Sequence, residues 1–206
     1  MNDLSFLAAD HDPWVVLASV AVAILASYVT LDLSLKVRTP EGGVNRMWWI
    51  AGALVMGTGV WSMHFVGMLA LMLPMDIGFT TLLTFVSWLA AVGASVIALG
   101  VASHGRYSRR SIALASVAMG AGICAMHYIG MAALDLQPGI VWDWRLVAAS
   151  AAIAVPASAA ALLIFRLLQR VHARRRFAKQ LLSATLVGAA FCGMHYTAKA
   201  PVPFSA

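Results

Sequence analysis

The chain is poor in charge. Of its 206 residues only 11% are Asp, Glu, Lys or Arg, against 62% hydrophobic residues, and its mean hydropathy is +0.85. That balance lies far outside the soluble globular range and excludes a water-facing surface around most of the chain. Acidic residues are the scarcest charges, eight against fourteen basic ones, leaving a net charge of +6. The excess does not describe a nucleic-acid interface, because no basic face is interleaved with exposed aromatics. Cysteine is limited to Cys124 and Cys192. Both read as small buried hydrophobes, with metal ligation or pairing on an oxidising side as alternatives.

What the chain does have is long apolar runs. They fall at about Trp14–Leu35, Met47–Leu73, Phe79–Ala102, Ser111–Leu134, Leu146–Leu168 and Leu181–Ala200. Each meets the roughly 20 residues that a helix needs to cross about 30 Å of hydrocarbon. The first is too long, and its leader too acidic, for a cleaved signal peptide. The expectation is an all-α integral membrane protein with six transmembrane helices. The basic residues alternate in side: Lys36, Arg38 and Arg46 follow the first run, Arg106, Arg109 and Arg110 the third, and Arg170, Arg174, Arg175, Arg176 and Lys179 the fifth. Asp3, Asp10, Asp12, Asp76, Asp135 and Asp143 fall on the other side, with Arg145 and Lys199. The positive-inside bias then places both termini outside and the basic loops in the cytoplasm. Asp32 stands four residues before Lys36, the spacing of a helical ion pair. Trp14, Trp48, Trp49, Trp142 and Trp144 stand at run ends, where tryptophan anchors to the membrane interface.

Within these runs one pattern recurs three times: Trp61-Ser-Met-His-Phe-Val-Gly-Met68, Cys124-Ala-Met-His-Tyr-Ile-Gly-Met131 and Cys192-Gly-Met-His-Tyr-Thr197. Backward extension gives Gly57-Thr-Gly-Val, Gly120-Ala-Gly-Ile and Gly188-Ala-Ala-Phe, and the preceding helices share Ala26-Ser27, Ala94-Ser95 and Ala157-Ser158. The unit is a two-helix hairpin repeated in one orientation, over about 14–75, 79–137 and 144–201 of a single domain spanning 1–206. Parallel repeats imply a pseudo-threefold axis along the membrane normal, with small residues allowing close helix contact. The second, fourth and sixth spans are the expected inner helices.

Imidazole inside a bilayer is costly, so His64, His127 and His195 are functional candidates. His64 lies 17 residues after Met47, roughly 25 Å from the cytoplasmic end at helical rise, and the other two lie similarly late in their spans. All three should converge near the outer face. Met68 and Met131 follow their histidines by four residues and share their face, whereas Met63, Met126 and Met194 sit about 100° round the helix. Imidazole with thioether suits copper better than hard cations, and three histidines with an open position also suit zinc. Methionine at helical spacing equally serves as core filler.

Met194-His195-Tyr196-Thr197 spells the motif of the MHYT-domain family, and Met63-His64-Phe65-Val66 and Met126-His127-Tyr128-Ile129 look like its degenerate copies. The chain resembles that family over nearly its whole length. The resemblance implies a bacterial inner-membrane sensor module that binds copper near the periplasmic face through Met, His and nearby residues. It implies a response to oxygen, carbon monoxide or nitric oxide, relayed to a cytoplasmic output domain or partner such as cyclic-di-GMP turnover. Phe65 replaces the tyrosine of the first copy, and the third lacks the trailing Gly-Met, so neither feature is needed three times. No cyclase, phosphodiesterase, kinase or DNA-binding segment is visible along the chain, so an enzyme is not expected. A membrane protein carrying copper or electrons is the alternative, and a three-histidine membrane oxidase a third.

Overall fold

Each apolar run becomes a helix because nothing in it competes. Leu, Ala, Val and Met dominate these stretches, Gly, Ser and Thr break them most often, Pro156 is carried inside the fifth, and within a bilayer a helix satisfies its backbone groups internally. The computed structural model describes residues 12–37, 43–70, 78–103, 108–135, 144–168 and 176–198. Among them lie α1 (Pro13–Val37), α2 (Arg46–Leu69), α3 (Thr81–Ser103), α4 (Arg109–Ala132), α5 (Trp144–Leu168) and α6 (Arg176–Ala198). Five of these, α1 to α5, are long and apolar enough to cross a membrane, so the chain is an all-α, multi-pass membrane protein. Helix α6 is of similar length, and its charged residues, Arg176 and Lys179, are confined to its first turn.

Side-chain caps start the two motif helices on the basic side. Asn45 Oδ1 accepts from the backbone N–H of Met47 and Trp48, at 3.1 and 3.3 Å, and opens α2. Ser108 Oγ accepts from Ser111 N–H at 3.0 Å and opens α4. Each bond satisfies a donor that the first helical turn leaves without a partner. At the far ends α2 stops at Leu69 and α4 at Ala132, short of the apolar runs they belong to. There the chain forms two short strands, β1 (Gly78–Phe79) and β2 (Leu134–Asp135), paired antiparallel with Gly78 opposite Asp135. Phe79 and Leu134, both expected in helices, are therefore in this ribbon, which ties the α2–α3 connection to the end of α4. Thr80 N–H to Ala133 O, at 2.8 Å, continues the tie.

Contacts run α1–α2, α2–α3, α3–α4, α4–α5, α5–α6 and back from α6 to α1, so neighbours in sequence are neighbours in space and the order closes on itself. The first glycine of each motif meets the same place on the helix after it. A Cβ on Gly57 would stand 2.6 Å from Val92 Cα, one on Gly120 3.1 Å from Val155 Cα, and one on Gly188 3.2 Å from Ile24 N. The backbones thus approach at distances that a side chain would forbid. Half of α2 is buried inside the protein, against about a third or less of α1, α3 and α5. The main core gathers Met56, Val60, Met63, Met119, Ile123 and Met126 with alanines of the flanking helices.

The Asp32–Lys36 ion pair forms at 3.0 Å, with the Lys36 ammonium 5.1 Å from the Trp48 ring centroid. Trp14 and Trp144 are exposed, as interface anchors require. Trp49 is not one of them. Its ring turns inward onto Gly100, and its Nε1–H donates to Val96 O at 3.3 Å. Trp142 lies outside the described residues.

Candidate metal centre

Two of the three histidines meet. His64 from α2 and His127 from α4 are fully buried, with Nδ1 atoms 3.2 Å apart, ring centroids 4.8 Å apart and planes inclined by 68°. Two nitrogens can face each other so closely only if one carries a proton and the other a lone pair, or if a cation accepts both lone pairs. Tetrahedral ligation with nitrogens at 2.0–2.1 Å from an ion places those nitrogens about 3.3 Å apart. The observed spacing therefore suits a shared metal as well as a shared proton.

The position of His64 depends on a glycine. A Cβ on Gly130 would lie 2.5 Å from His64 Nε2 and 2.9 Å from its Cδ2, so only a residue without a side chain lets the ring in. Aromatic rings close the remaining sides. Phe65 stands edge-on to His64 at 5.2 Å and Tyr128 edge-on to His127 at 5.0 Å. Trp61 packs on Phe65 at 4.6 Å, and Phe79 from β1 covers Phe65 at 5.3 Å. The pair is thereby enclosed under the β1–β2 ribbon at the non-basic end of the bundle.

The methionines divide. Met63 and Met126 are buried in the main apolar core with Met56 and Met119. Met68 and Met131 are buried in the last turns of their helices, which the N–H of Ala70 and Ala133 close by donating to Val66 O at 3.2 Å and Ile129 O at 2.9 Å. Helix α6, which carries the third motif, packs against α1 and α5. The side chains of Met194 and His195 lie outside the described residues. Among the described residues no three His, Cys, Asp or Glu side chains gather as a metal cluster, and Cys124 and Cys192 are free thiols.

The repeat also holds a polar feature that the motif alone did not reveal. Trp61 Nε1–H donates to Ser87 Oγ of α3 at 3.0 Å and to Thr84 O at 3.3 Å. Tyr128 hydrogen-bonds Ser150 Oγ of α5. Ser87 and Ser150 are buried and spend their own protons on Thr84 O and Val147 O, at 2.7 and 2.8 Å, so Tyr128 is the donor to Ser150. The available signal was a second serine triplet, Ser19, Ser87 and Ser150, each eight residues before the Ala-Ser pairs.

Comparison with known proteins matches the MHYT family, described as a bacterial signalling protein N-terminal repeat, at residues 57–115 and 120–182. Each match runs from a motif helix through the outer helix that follows it. Among curated proteins the chain is similar to MucR of Pseudomonas aeruginosa, a bifunctional diguanylate cyclase/cyclic di-GMP phosphodiesterase, at 46% identity over 96% of this chain and 29% of MucR. It is 37% identical to the signalling protein YkoW of Bacillus subtilis, over 87% of this chain and 22% of YkoW. It is 35% identical to the cyclic di-GMP phosphodiesterase NbdA of Pseudomonas aeruginosa, over 95% of this chain and 25% of NbdA. The chain thus spans less than a third of the length of these relatives. No solved structure matches it.

Proposed function

The chain belongs to the MHYT family of bacterial signalling proteins, and from that premise we propose that it is a membrane-embedded sensor module with a copper site near the periplasmic face. The observation that carries this reading is the buried His64–His127 pair, 3.2 Å apart at Nδ1. In this reading His195 completes the ligand set, Met68 and Met131 flank it ahead of Met63, Met126 and Met194, and zinc is the alternative metal. Neutral imidazole and thioether make a donor set of the kind that copper prefers, and the bound metal would supply an affinity for oxygen, carbon monoxide or nitric oxide. The residues do the rest: Gly130 admits His64, and Phe65, Phe79 and Tyr128 exclude water.

The architecture proposed with it is six spanning helices in three parallel hairpins about a pseudo-threefold axis. The Gly57–Val92, Gly120–Val155 and Gly188–Ile24 contacts support it, since each motif helix meets the next outer helix at one shared position. A signal bound at the centre moves the helices only if it binds one packing better than another. The output proposed to read that change is cytoplasmic, of the cyclic-di-GMP kind named for MucR and NbdA.

Metal analysis tests the site. Purified protein should hold copper, and His64→Ala, His127→Ala and His195→Ala should each weaken binding by at least about tenfold, the loss typical even for supports of metal ligands. Wild-type protein that stays metal-free after copper loading would leave a transport or structural role. Orientation is tested by reporter fusions: those joined between α2 and α3 should report a periplasmic position and those between α5 and α6 a cytoplasmic one. The reverse result would put the histidines near the wrong face.

A further inference from the structure

The sensor reading accounts for the histidines but not for the residues beside them. Two motif copies link to the following outer helix through the same buried serine position, and they do so with different residues. In the second copy the donor is Tyr128, directly after His127, and its acceptor is Ser150 Oγ of α5. In the first copy the corresponding residue is Phe65, which has no donor. Ser87 of α3, the counterpart of Ser150, is fully buried and still receives a bond, from Trp61 Nε1 at 3.0 Å. Trp61 occupies the place of Cys124, three residues before the histidine, and lies four before Phe65 on the same helical face. The loss of a hydroxyl at one position is thus matched by the gain of an N–H one turn away, aimed at the same acceptor.

We propose that the aromatic residue of the motif is a positioning residue, a hydrogen-bonded tether from each motif helix to the buried serine of the next outer helix, and not a ligand at the metal centre. A ligand role would not be conserved between a phenol and an indole that arrive from different turns, because indole Nε1–H only donates. A tether role is conserved, because all that it requires is a donor at the serine. Ser19 supplies the third acceptor position: it is fully buried in α1 and makes the same bond three residues back, to Val16 O at 2.8 Å. Its counterpart in the third motif is Tyr196, whose side chain lies outside the described residues. The proposal deepens the sensor reading and rests on it for one consequence: Tyr128 adjoins His127, so displacement of that histidine is passed to α5.

The test exchanges the two patterns. In the full chain in lipid or mild detergent, Trp61→Cys should lower the thermal midpoint, and adding Phe65→Tyr, which rebuilds the Cys124/Tyr128 pattern in the first copy, should recover part of that loss. Tyr128→Phe and Ser150→Ala should each lower the midpoint by roughly 2–4 °C, the shift for a chain of this size losing one buried hydrogen bond, and the double variant by no more than one of them. Copper content should fall no further in Tyr128→Phe than in Ser150→Ala, which breaks the same bond and keeps the phenol. A Trp61→Cys/Phe65→Tyr protein no more stable than Trp61→Cys would overturn the tether, as would additive effects at Tyr128 and Ser150. A larger copper loss in Tyr128→Phe than in Ser150→Ala would make the tyrosine a ligand after all. Wild-type protein that never binds copper would remove the sensor reading alone, since both stability comparisons still decide the tether.

Discussion

Gly130→Ala is expected to strip the centre of its metal without touching a candidate ligand. The added methyl would stand 2.5 Å from His64 Nε2, and the ring has no free direction in which to yield, with Phe65 edge-on to it and His127 opposite. Either the ring swings off its partner or α2 and α4 separate. Overpacking of this kind costs about 1–3 kcal/mol, and misplacing a ligand costs about 10–100-fold in metal affinity. Copper titration of Gly130→Ala beside wild type measures the second effect. Unchanged affinity would mean that the His64–His127 approach is not the geometry that binds.

Gly57→Ala should be damaging although it lies away from the centre. Its Cβ would meet backbone, 2.6 Å from Val92 Cα and 2.7 Å from Val92 N, so no side chain can rotate away and α2 and α3 must part. A loss of about 1–3 kcal/mol follows, or a midpoint several degrees lower. Gly93→Ala is the matched control on α3. Nothing lies within 4 Å of its added Cβ, so the better helix propensity of alanine should raise stability by up to about 1 kcal/mol. Equal midpoints for the two variants, followed by heating in detergent, would contradict the close helix contact.

The sequence shows the helices and the histidine register because both depend on patterns longer than any local irregularity. A run such as Trp14–Leu35 has one reading in a bilayer, and α1 occupies Pro13–Val37. The His64–His127 meeting was legible because two copies of one motif at equal depth have few other ways to bury an imidazole. Helix ends were less legible: hydrophobicity continues past Ala132, where the chain passes at once into the two-residue pairing of β2 with β1, too short to leave an alternating pattern. Trp49 was misread for a related reason. Its place near a run end suggested an anchor, but its ring packs against α3 at Gly100 and bonds Val96 O, a contact that only the packed helices reveal. The serine acceptors were hidden differently, since a serine in a helix returns its proton to its own backbone and carries no sign of a partner.

A ring that closes between its first and last helices also sets an order of assembly. The joint between α1 and α6 is made by Gly188 on Ile24, by Gln180 Nε2–H donating to Tyr28 O at 3.2 Å and by Phe177 edge-on to Tyr28 at 6.0 Å. These are contacts between segments some 150 residues apart in sequence, and chains are synthesised from the N-terminus at about 5–20 residues per second. The face of α1 around Ile24 and Tyr28 therefore waits many seconds in the bilayer for its neighbour. Until α6 arrives the nascent bundle is an open arc, and that one seam is where a second nascent chain would insert its own α6 if the two were made side by side.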